Sequence, residues 1–171
     1  ATPIAPPAWP EFAGGSGTEE NPYLISTVDH FNKVHNYLDK HFRLIANLDL
    51  SVYGTAPGWE PIGTSDTPFT GTFDGNGHII SNLFVDRIAN SDIGLFGSVG
   101  VSGKILNLGL VDIDVRGEYD VGGLVGENNG QITDSYAIGT VTGYMGVGGL
   151  VGNNNGAIDA SWAEGTVKER V

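Results

Sequence analysis

The sequence predicts an all-β chain wound as a right-handed parallel β-helix (β-solenoid), with an N-terminal capping α-helix. Three observations carry that expectation. A close internal repeat recurs at a displacement of 26 residues, strand-length segments alternate in side-chain size with period two, and 27 glycines punctuate those segments. The repeat is plainest where Val121-Gly-Gly-Leu-Val-Gly126 returns as Val147-Gly-Gly-Leu-Val-Gly152. Asn128-Asn129-Gly130 then maps to Asn154-Asn155-Gly156, Ile132 to Ile158, Ser135 to Ser161, and Gly139-Thr-Val141 to Gly165-Thr-Val167. A single unit of this length cannot bury its apolar side chains alone, so such units stack. Leucine-rich repeats share the period range, but the spacing of leucines they require is missing from the two best copies.

The elements follow in order. Residues 1–13 hold Pro3, Pro6, Pro7 and Pro10 and read as an extended segment. Residues 14–41 read as an N-terminal cap with a helix over about 27–40: Ser26 and Asp29 form a variant capping box, and Val28, Phe31, Val34 and Leu38 recur at helical spacing. That helix is expected to precede the stack and to cover its first coil. Residues 42–171 form the solenoid, with repeats at about 93–120, 121–146 and 147–171, and the whole is one domain.

Weaker copies lie upstream. Gly77-His-Ile-Ile-Ser-Asn-Leu-Phe-Val85 is aligned with Gly103-Lys-Ile-Leu-Asn-Leu-Gly-Leu110, pairing Ile79 with Ile105. Ile105 to Ile132 is one residue longer than the repeat, and the extra residue is expected in a turn.

Within Ser135-Tyr-Ala-Ile-Gly-Thr-Val141, Ile138 aligns with Glu164. A charge does not sit in a narrow core, so that parity faces solvent and Ala137, Ala163, Val141 and Val167 point inward. The Asn-Gly pairs at 76–77, 129–130 and 155–156 read as corners that use positive φ. Asn128 over Asn154 and Asn129 over Asn155 are candidate structural ladders, each amide bonded to its copy one coil away. Val167 is followed only by Lys168-Glu-Arg-Val171, with no equivalent of the helical cap. The stack therefore reads as continuing into further coils or another domain, or as pairing end to end with a second molecule through this uncapped coil.

Composition narrows the function. The net charge of −12 disfavours nucleic acid and anionic membranes as partners. No apolar run approaches the roughly 20 residues that span a bilayer, so membrane insertion is not expected. Without cysteine there is neither a disulfide nor a thiolate metal site, and packing with backbone hydrogen bonds must hold the fold.

Gly-Gly-Leu-Val-Gly, Asn-x-Gly and Ser-Tyr/Trp-Ala-x-Gly-Thr-Val together resemble the GLUG-repeat family. Upstream, Asn21-Pro-Tyr-Leu-Ile25, Trp59-Glu-Pro-Ile-Gly63 and Phe69-Thr-Gly-Thr-Phe-Asp-Gly-Asn-Gly77 resemble the segment that often precedes such repeats. The resemblance implies a right-handed parallel β-helix in large exported bacterial and archaeal proteins: adhesins, S-layer-associated proteins and accessory regions of polysaccharide-degrading enzymes. It carries no agreed catalytic residues. The expected product is a non-catalytic structural or adhesive module of a secreted or cell-surface protein, extracellular in location. The alternative is a carbohydrate-binding module accessory to a polysaccharide-degrading enzyme. A polysaccharide partner, or another surface protein, follows from either.

A lyase or hydrolase needs a base beside a neutralised carboxylate, or paired carboxylates at a set separation, and neither pattern is visible. Arg116 near Asp112 and Asp114 is the one mixed cluster on the stack, and reads as a solvated strand face. His30, His35 and His41 are spaced by five and six residues and do not share a helix face, so no zinc site is expected. Asp74-Gly-Asn-Gly77 lacks the further oxygen ligands of a calcium loop and reads as a tight turn. No metal and no cofactor are expected. The candidate ligand-binding residues are Tyr136 and Trp162, equivalent positions one coil apart on the solvent parity, whose flat faces suit a sugar ring. Tyr119 and Tyr144, in neighbouring loops, are expected to extend that platform.

Overall fold

Strands of like sequence lie directly over one another, which is how apolar side chains repeated every 26 residues become a continuous core. The computed structural model describes residues 11–171. Pro3, Pro6, Pro7 and Pro10 lie outside the described residues. The first sheet stacks Tyr23–Ile25, His41–Leu44, Thr72–Asp74, Lys104–Leu106, Gln131–Thr133 and Ala157–Asp159. The second stacks Leu48–Asp49, Ile79–Ser81, Gly109–Arg116, Tyr136–Gly143 and Trp162–Glu169, with Phe84–Asp86 also pairing with Gly109–Arg116. Phe96–Val99, Val125–Asn128 and Val151–Asn154 make the third, and Tyr119–Gly122 with Met145–Gly148 the fourth. Each of these strand pairings is parallel, and Val121 sits opposite Val147, as vertical stacking of the repeat requires. The protein is a parallel β-solenoid.

The ladders define the core. On the first sheet Phe42, Phe73, Ile105, Ile132 and Ile158 occupy successive rungs, the first four fully buried. On the second, Leu48, Ile80, Leu110, Ala137 and Ala163 do the same beside Val85, Val115, Val141 and Val167. Ala137 and Val141 are buried while Ile138 pairs with Glu164 on the wet face. The core tapers from rings to small side chains. Phe31, Phe42, Trp59, Phe69, Phe73 and Phe96 fill the N-terminal coils, with Phe31 stacked on Trp59 at 4.9 Å. Trp59 Nε1 is satisfied inside that core by the Leu95 carbonyl at 3.1 Å. In the last coil the inward side chains are uncovered, Val167 being 51% exposed.

Several local expectations are corrected. The helix is much shorter than 27–40: α1 covers Val28–Asn32 and continues as a 3-10 turn over Lys33–Asn36. Thr27, not Ser26, is its N-cap, its hydroxyl accepting from the His30 N–H at 3.1 Å. Phe31 and Val34 reach the core within those two turns, so nothing drives the helix further. The sheet also begins before α1, because Tyr23–Ile25 pairs with His41–Leu44. The helix is therefore part of the first coil rather than a lid ahead of it.

Further along, Ile79 is not the counterpart of Ile105. Phe73 is, while Ile80 stacks on Leu110, since the coil that begins near Thr72 is longer than the later ones. The extra residue between Ile105 and Ile132 also has a different home. Between Ile138 and Gly139 the partner register skips Asp112, which takes φ 57° as a bulge inside a strand rather than lengthening a turn.

The Asn-Gly pairs occupy two different corners. Asn76 has φ 53° between the first and second sheets, whereas Asn129 and Asn155 lie between the third and first without positive φ. Gly130 is required there by proximity instead: a Cβ would meet the Gly103 carbonyl oxygen at 2.2 Å.

Candidate functional site

Tyr136 and Trp162 open equivalent strands of the second sheet and face outward, as the alternation of β-structure dictates. Their rings are stacked on each other at 4.7 Å with 8° between planes. Below them, the Tyr136 ring lies over Gly109, where any Cβ would come within 2.4 Å of its Cζ and Oη. Both faces of Tyr136 are thus covered by the protein, and the free flat surface is the outer face of Trp162, which is 48% exposed. The two rings form a column along the solenoid rather than a side-by-side platform.

Tyr119 and Tyr144 do not extend it. They contact each other edge to face at 5.7 Å, at the far end of the eight-residue strand Tyr136–Gly143. At roughly 3.3 Å per residue that is about 26 Å away. Nearness in sequence does not bring them to the stack, because an extended strand separates sequence neighbours as far as a chain can.

The amides are spent on their own copies. Asn128 Nδ2 donates to Asn154 Oδ1 at 2.8 Å, and Asn128 Oδ1 accepts from the Gly130 N–H at 3.1 Å. Asn155 Nδ2 donates to Asn129 Oδ1 at 3.3 Å on the exposed side of the same corner. Ser135 is also buried, its N–H bonded to Ser161 Oγ and its hydroxyl to the Thr133 carbonyl.

A second, acidic column carries no local motif in the sequence. Asp92 and Asp120 precede the paired residues Ile93 and Val121, both take positive φ, and both look toward Glu127 on the third sheet. Burial first, and then the Glu127 charge, push both carboxyls above the usual aspartate value. Asn153, one rung above Glu127, donates to Asp120 and partly offsets this. Among the described residues no set of three His, Cys, Asp or Glu is arranged to hold a metal. His30 bonds to Ser26 and His35 bridges the Asn32 and Glu60 carbonyls. Asp74 accepts from the Asn76 N–H, Asn107 and Arg43, so its carboxylate closes a turn.

With the coil geometry in view, the family model for the GLUG motif matches residues 117–142, one full layer from the Gly117 corner through the strand ending at Gly143. The chain carries a GLUG motif. Its next layer, residues 143–168, stacks on the GLUG residues rung for rung. Over 93 residues the chain is 48% identical to a protein of Evansella cellulosilytica named as a Gly-rich membrane protein, covering 52% of this chain and 11% of that one. Over 95 residues it is 38% identical to the protein named Halomucin of Haloquadratum walsbyi, covering 50% of this chain and 1% of that one. The chain thus spans only a small part of the length of both relatives. In three dimensions the chain resembles a Bacteroides ovatus protein described as an immunoglobulin A1 protease, with a TM-score of 0.52 at 21% identity, over 91% of this chain and 72% of that one. That likeness concerns the fold alone. The GLUG match and the stacked coils together make this chain a β-helix module.

Proposed function

We propose that this module is a non-catalytic structural and adhesive segment of an exported, cell-surface protein. One observation carries the reading: Asn128, Asn129 and Ser135, which recur with the GLUG period, are each bonded to their own copy one coil away rather than presented to a ligand. Rigid, in-register stacking suits a spacer that holds other parts of a long chain away from a surface. Names among the relatives, a Gly-rich membrane protein and Halomucin, support the same setting. Incubation of the purified domain with a panel of polyuronates and neutral polysaccharides is expected to release neither reducing ends nor unsaturated products. Turnover on any of them would overturn the reading.

A carbohydrate-binding role is the second reading, favoured by the free outer face of Trp162. Affinity electrophoresis in gels containing insoluble-polysaccharide fragments decides it. Retardation of the wild type that is lost in Trp162→Ala, with folding intact by circular dichroism, is the expected pattern. Equal mobility of wild type in every gel would remove this reading.

A further inference from the structure

A groove of about 630 Å³ lies on the outward face of the second sheet, at the end away from Tyr136. It is built by vertical register. Asp86, Arg116, Thr142 and Lys168 form one column of four successive rungs. Asp114 and Thr140 form part of the next column. Four rungs at about 4.8 Å give a floor roughly 14 Å long.

Charge is divided along that floor. At the lower end Arg116 is occupied: Nε and Nη2 grip Asp114 at 3.1 and 2.6 Å, and the guanidinium lies over the Phe84 ring. The upper end is different. Lys168 and Arg170 have no carboxylate within 4.0 Å among the described residues. Arg170 is steadied by the Ile88 carbonyl, to which Nη1 donates at 3.2 Å across the mouth of the groove. Between the two ends stand the hydroxyls of Thr140 and Thr142. Three of the eight basic residues of a chain with net charge −12 therefore line one hollow, and two of them are uncompensated.

A ligand that fits must bring negative charge to the upper end and hydroxyl donors and acceptors to the middle and lower end. A dense polyanion such as nucleic acid meets the surrounding negative field and is disfavoured. We propose that the groove binds an acidic sugar within an oligosaccharide, a hexuronate, with its carboxylate on Lys168 and Arg170 and its hydroxyls on Thr140, Thr142 and the Asp114 carboxylate. This site is separate from the Trp162 face and does not depend on it.

The test is a heteronuclear NMR titration of the isotopically labelled 171-residue chain with trigalacturonate, and with maltotriose as the neutral counterpart. Trigalacturonate at roughly millimolar concentration is expected to shift the amides of Thr140, Thr142 and Lys168, to leave those of Tyr136 and Trp162 unmoved, and to weaken with added salt. The double variant Lys168→Met/Arg170→Met, both positions exposed, one on the last strand and one just past its end, is expected to bind about tenfold or more weakly with an otherwise unchanged spectrum. Thr140→Val/Thr142→Val provides a second variant, expected to weaken binding while keeping its salt dependence. Absence of shifts, equal shifts with maltotriose, or undiminished binding in the methionine variant would each overturn the proposal.

Discussion

Asn128 shows most directly how a single side chain holds two layers together. It is fully buried, and both ends of its amide are engaged, by Asn154 above and by the backbone of its own corner. Asn128→Ala leaves the Gly130 N–H without its acceptor and is expected to cost about 1–3 kcal/mol, read as a lower urea midpoint with unchanged slope. Asn155→Ala, exposed and bonded at 3.3 Å, is expected to stay within about 0.5 kcal/mol of wild type in the same measurement. The acidic column behaves oppositely. Because burial and Glu127 raise the carboxyls of Asp92 and Asp120, the fold binds their protons more tightly than the unfolded chain does. Their favourable contribution is present below the ordinary value of 3.8 and is lost as pH rises through the raised folded value. Asp92→Asn keeps a residue that tolerates positive φ while removing the charge. It is expected to raise the thermal midpoint at pH 7 and to make no difference near pH 3; a midpoint unchanged at pH 7 would show that the column is fully solvated.

Among the elements, α1 illustrates how tertiary need overrides pattern. Val28, Phe31, Val34 and Leu38 spell a helix of three turns, yet only Phe31 and Val34 are buried, and the chain leaves the helix once both are placed. Its start depends on one hydroxyl. Thr27→Ala is expected to destabilise the domain by about 1 kcal/mol, detectable by chemical denaturation, whereas Ser26→Ala, outside the cap, should have a smaller effect. Strand Gly109–Arg116 shows the complementary case. Its bulge at Asp112 keeps Leu110 and Val115 both facing inward although the repeat is one residue out of step.

Across the molecule, stability should fall from one end to the other. The N-terminal coils are filled by stacked rings, while the last coil leaves Ile158 and Val167 exposed and its edge unpaired. Native-state hydrogen exchange is accordingly expected to protect Phe73 and Ile105 most and Ile158 through Val167 least, with intermediate values at Ile132 and Val141. Uniform protection across the coils would mean that the stack opens as one unit.

The repeat, the parallel stacking, the inward and outward parities and the asparagine partners were all readable from the chain, because one constant displacement of 26 residues places each side chain over its copy. Upstream, where coils differ in length, that regularity fails, and pairs such as Phe73 with Ile105 emerge only from packing. The column from Asp86 through Arg116 and Thr142 to Lys168 likewise joins residues that no local motif connects. Its shape and charge come from the rise of the chain layer by layer, which sets residues distant in sequence about 4.8 Å apart and spreads neighbours along one strand across the width of a face.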